Sequence, residues 1–166
     1  MILDCRELAA GTVLNLPFRL ETALAPEDLA EDVLDASVDV SGRAENHAGY
    51  LTLTGSIVLN GTFRCARCCT EFQRELSFPM DYKLATHLSD NDDSEEEFLL
   101  LDDGCLDLDE VVRTQLLTEM PYRFLCREDC KGLCPVCGRN RNEQDCTCSQ
   151  NERDPRWDAL ARFFEE

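Results

Sequence analysis

Eleven cysteines in 166 residues, most of them closely paired, are the side chains here whose type and spacing could do chemistry. They fall as Cys65-x2-Cys68-Cys69, Cys126-x3-Cys130, Cys134-x2-Cys137-Gly138 and Cys146-x-Cys148. A Cys-x2-Cys turn aims two thiolates at one cation while backbone amides stabilise the sulfur charge, and a glycine after the second cysteine accepts the positive φ that the turn needs. Cys134-Pro135-Val136-Cys137-Gly138 carries that whole pattern, whereas Cys65 to Cys68 carries only its spacing. The chemistry implied is zinc binding, which asks for four ligands in a tetrahedron.

Cys134 and Cys137 lie close enough to Cys146 and Cys148 for one small loop to close the set, which leaves Cys126 and Cys130 without local partners. The other close pair, Cys65 and Cys68, is therefore the expected complement, and a second four-cysteine site would tie the C-terminal segment to the sheet. An alternative grouping puts Cys126, Cys130, Cys134 and Cys137 in one site and leaves Cys146 and Cys148 loose, so one or two zinc sites are expected. Cys69 directly follows a ligand and should point away from the metal. Cys5 and Cys105 stand alone among apolar neighbours and read as small buried hydrophobes.

Four thiolates per metal make closed, structural sites, whereas catalytic zinc keeps an open position beside a base. The two histidines, His47 and His87, are far from the cysteine pairs in sequence. Cys-x2-Cys also serves thiol exchange, but that needs an exposed, low-pKa thiol at a helix N-terminus, and Phe63 to Cys68 leads into another strand-like stretch. No nucleophile with its base and no phosphate-cradling glycine loop is visible, so the chain reads as a non-enzyme.

The formal net charge of −18 excludes a broadly basic protein that coats nucleic acid. No run of about 18 apolar residues occurs, and Asp4 and Glu7 stand where a secretory signal would be basic, so a cytoplasmic protein with reduced thiols is expected. The positive charge is concentrated near the cysteines: between Pro121 and Arg153 six basic residues face five acidic ones, net +1, leaving −19 for the rest. Arg64, Arg67, Arg127, Lys131, Arg139 and Arg141 could merely balance thiolate charge. They could equally form a small face that grips phosphate, while the acidic body cradles a basic partner.

The elements that must hold these residues read as an α+β fold. Residues 1–85 form an antiparallel β unit, with strands over Leu34–Val40, Tyr50–Leu59 and Phe72–Leu84 and with Gly42, Gly49 and Gly61 as turn signals. Leu51, Leu53, Ile57 and Leu59 alternate onto one face. Residues 86–98 contain Asp90 to Glu97, six acidic residues in eight, which read as a mobile acidic loop. Within 99–166, Asp107 and Glu110 resemble a capping box, Leu108, Val111, Val112, Leu116 and Met120 form one helical stripe, and Pro121 ends the helix. After the zinc-stapled segment a short terminal helix is expected from Asp154 and Pro155, with Trp157, Leu160, Ala161 and Phe164 packing it on the body. The whole should be one compact domain.

The sequence resembles the YceD family, also described as large ribosomal RNA subunit accumulation proteins. The likeness rests on Cys65-Ala-Arg-Cys68 after a glycine-containing β stretch and on the Asp107-Leu108-Asp109 helix ending in Met120-Pro121. It continues through Cys126-x3-Cys130-Lys-Gly-Leu-Cys-Pro-Val-Cys-Gly-Arg-Asn-Arg-Asn142, Cys146-Thr-Cys148 and Asp154-Pro155-Arg156. Cys69, where family members usually have an apolar residue such as leucine, and Arg141, where they tend to have leucine, depart from it. The resemblance implies a non-catalytic ribosome biogenesis factor that supports accumulation of large-subunit ribosomal RNA. Its expected partners are pre-ribosomal RNA, a basic large-subunit ribosomal protein, or both. A zinc-ribbon regulator of transcription and a thiol oxidoreductase are the competing readings.

Overall fold

The computed structural model describes residues 1–22, 31–87 and 98–148. Long alternating sequences make long strands. β2 (Asn15–Thr22), β3 (Val33–His47), β4 (Tyr50–Arg64), β5 (Glu71–Ala85) and β6 (Phe98–Leu100) form one sheet in that order. The first four are antiparallel, but β6 runs parallel to β5, so the sheet is mixed. Phe98, which the sequence places in the acidic loop, opens this edge strand, and the expected loop over Asp90–Glu97 lies outside the described residues.

The core follows the alternation. Val40 pairs with Ile57 and Ile57 with Phe78, while Val38 pairs with Leu59 and Leu59 with Leu76, so apolar side chains line up across three strands on one face. Val40, Leu53, Ile57, Leu59 and Phe63 are fully buried there. Truncating any of them to alanine costs about 2–5 kcal/mol.

Gly42 and Gly61 lie inside β3 and β4, and only Gly49 sits in a turn, at the β3–β4 connection. The turn reading of Gly42 and Gly61 fails because glycine here answers a close approach. Gly42 pairs with Gly55, and a Cβ on Gly55 would lie 2.8 Å from the Gly42 Cα. Only residues without a side chain let the two backbones pass so near.

Ahead of the sheet, β1 (Ile2–Asp4) leads into the single turn of α1 (Arg6–Ala9), and β1 pairs with β7 (Cys105–Asp107). Neither α1 nor this two-stranded ribbon was legible in the sequence pattern. Cys5 and Leu8 are buried, and the buried Asn46 amide donates to the Leu8 carbonyl (2.7 Å), locking α1 to the end of β3. α2 (Leu108–Glu119) follows β7 directly. The Asp107 carboxylate accepts from the Asp109 amide (3.0 Å), one residue short of the expected capping-box geometry, and Met120 turns extended before Pro121 as expected. Leu108, Val111, Val112 and Leu116 are buried, and so is Gln115, whose amide donates to the Pro79 carbonyl (3.1 Å). No helix among the described residues is long and apolar enough to cross a membrane. The expected terminal helix lies outside the described residues.

Candidate metal centres

β4 and β5 end together at the Arg64–Glu71 pair, and Cys65 to Thr70 is the hairpin loop between them. The Cys65 amide donates to the Thr70 carbonyl (3.0 Å) and the Cys69 amide to the Cys65 carbonyl (2.9 Å), so the loop is a compact knuckle at the tip of the sheet. The segment after α2 docks on that tip. Phe124 is buried and stacks on Phe63 with ring centroids 4.4 Å apart, and its carbonyl accepts from the Ala66 amide (2.8 Å). The Arg74 guanidinium lies over Phe72 and donates to the Leu125 carbonyl (2.9 Å).

This docking delivers Cys126 and Cys130 to Cys65 and Cys68. All four Sγ atoms lie within 4.8 Å of one another, with Cys65 and Cys130 3.8 Å apart and Cys68 and Cys126 3.6 Å apart. A tetrahedral zinc with Zn–S of about 2.3 Å sets its sulfurs about 3.8 Å apart, whereas a disulfide needs about 2.05 Å. The donor set therefore fits a thiophilic cation, and all eleven cysteines are free thiols.

Cys134, Cys137, Cys146 and Cys148 form a second set within the same 4.8 Å limit. The two Cys-x2-Cys knuckles share one design: the Gly138 amide donates to the Cys134 carbonyl (2.8 Å) as Cys69 does to Cys65. Gly138 has φ +71° and Cys69 has φ +58°, so Cys69 occupies the left-handed position that glycine fills in the other knuckle. Cys69 is exposed and outside both sets. The eight cysteines are brought together in two fours, and the alternative set of Cys126, Cys130, Cys134 and Cys137 is not.

Protonation is split within each set. Burial pushes the Cys65 thiol up, but the backbone amides of Cys126, Cys68 and Arg67 outweigh it and bring it down to about 6. Amides of Cys137 and Val136 hold Cys134 at about 6. Burial, with hydrogen bonding to the neighbouring sulfurs, raises Cys126 to about 12, and the Cys137 sulfur raises Cys148 to about 12. Sulfurs this close cannot all ionise without a cation among them, so each set is organised for positive charge.

Asn142, from the stretch between Cys137 and Cys146, supports the first centre. Its amide nitrogen donates to the Cys130 sulfur (3.3 Å), and its oxygen accepts from the Lys131 amide (2.8 Å) and the Arg127 guanidinium (2.7 Å). The only sequence signal was its place in the Asn-Arg-Asn stretch. Arg67 donates to the Cys130 carbonyl (3.0 Å), and its own carbonyl accepts from the Leu133 amide (3.1 Å). Arg67 and Arg127 thus spend their side chains on the architecture. Arg64, Lys131 and Arg139 are exposed around the clusters, and Arg141 is half-buried with its amide on the Gly132 carbonyl (2.9 Å).

Comparison with known proteins adds to this geometry. An uncharacterized protein of Mycobacterium tuberculosis is 28% identical over 138 residues, covering 78% of this chain and 63% of that protein. An uncharacterized protein of Mycobacterium leprae is 26% identical over 105 residues, 62% of this chain and 48% of that protein. The chain therefore spans less than two thirds of the length of these relatives. An Arabidopsis thaliana protein named large ribosomal RNA subunit accumulation protein YCED homolog 1, chloroplastic, is 30% identical over 61 residues, 37% of this chain and 19% of that protein. No solved structure matches the chain. The family model described as large ribosomal RNA subunit accumulation protein YceD matches residues 53–164, from near the start of β4 through both cysteine clusters. The chain belongs to the YceD family.

Proposed function

We propose that this protein is a non-catalytic factor in assembly of the large ribosomal subunit, acting in the cytoplasm to support accumulation of that subunit's ribosomal RNA. In this reading Cys65, Cys68, Cys126 and Cys130 hold one zinc ion, and Cys134, Cys137, Cys146 and Cys148 hold another. The observation that carries it is that each centre is a complete set of four thiols, with no ligand position left for substrate or water. Such sites staple polypeptide, and here they fix a short segment that has little apolar core of its own. The stapled turns present Arg64, Lys131, Arg139 and Arg141 to pre-ribosomal RNA, while the acidic body offers a complement to a basic ribosomal protein.

A thiol oxidoreductase is the competing reading, since Cys65 is set near 6. Against it, Cys65 is fully buried on a hairpin tip, where a disulfide substrate cannot reach its sulfur. A zinc-ribbon transcription regulator would have to bring a chain of charge −18 onto duplex DNA. The test is a pull-down with the tagged zinc-loaded chain, with and without ribonuclease. Large-subunit RNA lost on digestion supports direct RNA binding, a ribosomal protein kept after digestion supports protein binding, and recovery of neither refutes the proposal.

A further inference from the structure

β6, β7, β1 and α2 enclose an open cleft of about 500 Å³ that shares no lining residue with the cysteine centres. Its apolar wall includes Ile2, Leu100, Leu106 and Val111, and carboxylates of Asp102 and Glu110 stand in it; no lysine, arginine or histidine lines it. Ile2 is 70% exposed and Leu100 52% exposed, so two large aliphatic side chains meet water at the mouth of a preformed groove. The surrounding sequence is one-sided in charge. From Asp102 to Glu110 the chain has five acidic residues and no basic one.

We propose that this cleft docks a basic polypeptide segment in which an aliphatic side chain is flanked by lysines or arginines. The apolar wall takes the aliphatic group, and the flanking cations meet the carboxylates, which also speed encounter. RNA is the wrong occupant, because its phosphates would face carboxylates with no cation among the lining residues. The N-terminus of α2 does not offset this: Asp107 caps it, and the Met1 ammonium is paired with Asp109. The inference rests on the proposed function, whose protein-partner half it assigns to a place.

The probe is a short fluorescein-labelled peptide in which leucines alternate with lysines and arginines, titrated by anisotropy against the zinc-loaded full chain. Replacing both Ile2 and Leu100 by serine should weaken binding about tenfold, since burial of two aliphatic groups is lost. Both are exposed enough for the fold to survive, and an unchanged melting temperature checks it. Asp102→Asn with Glu110→Gln should weaken it about as much and flatten its salt dependence, whereas Asp35→Asn with Glu75→Gln, neutralised elsewhere, should leave it unchanged. Failure of the peptide to bind, equal loss from the remote pair, or a single-stranded oligonucleotide that competes with the peptide and is itself weakened by the Ile2 and Leu100 replacements would each overturn the proposal. If a ribosomal protein survives ribonuclease in the pull-down yet binds the Ile2 and Leu100 variant normally, the cleft is wrong and the functional reading stands. If the cleft binds the peptide while the pull-down recovers neither RNA nor ribosomal protein, the functional reading is the one that fails.

Discussion

Phe63 and Phe124 stack with ring centroids 4.4 Å apart and planes 29° from parallel, so the last core residue of β4 seats the chain that carries Cys126. The contact is apolar and independent of metal. Phe124→Ala should cost about 3–5 kcal/mol. It should also release Cys126 and Cys130 from the hairpin tip, read as a lower denaturation midpoint in urea together with loss of one zinc equivalent. A normal midpoint would show that the metal alone holds the segment.

Elemental analysis of gently purified protein should find two zinc ions per chain. Cys130→Ser should remove the first and Cys134→Ser the second, because a four-thiolate site loses most of its affinity with one ligand. Chelation should speed hydrogen exchange over residues 121–148 and spare β3 and β4. If exchange is unchanged after chelation, the stapling argument fails.

Asn142 is the nearest test of the shell around the first centre. Asn142→Ala removes the donor to the Cys130 sulfur and the acceptor for Lys131 and Arg127. Zinc affinity at that centre should fall about 10- to 100-fold. Competition with a chromophoric chelator measures it, and the second centre in the same molecule serves as control.

The two knuckles predict opposite effects at equivalent positions. Cys69→Gly relieves a left-handed residue and should raise stability by about 0.5–1 kcal/mol with zinc content unchanged. Gly138→Ala should lower it by about 1 kcal/mol, entirely through the backbone, since the added Cβ would meet nothing within 4 Å. Melting temperatures of the zinc-loaded variants decide both.

The long strands and α2 could be read directly because half-buried strands and helices write their burial as periods of two and 3.6 residues. Leu51, Leu53, Ile57 and Leu59 are the plain example. The grouping of the cysteines was legible for another reason: they come as four close pairs, and four ligands per ion leaves only three ways to sort pairs into two sites. What escaped depends on distant partners. Gly42 reads as a turn until Gly55 is known to lie opposite, β1 and β7 are too short for any period, and Asn142 looks like loop chemistry until it meets Cys130. The parallel placement of β6 against β5 is likewise invisible, since three apolar residues carry no direction.

Because the first knuckle is a hairpin loop, its two sulfurs are in place as soon as β4 and β5 have paired, yet their counterparts lie 58 and 65 residues further along the chain. A polypeptide still being synthesised can thus offer half a coordination sphere and no more until residue 130 has emerged. Completion of the fold is timed by translation of the C-terminal segment, and a truncated product would be left with a frayed tip and thiols lacking their metal-binding counterparts, a mark by which quality control could tell it from the finished molecule.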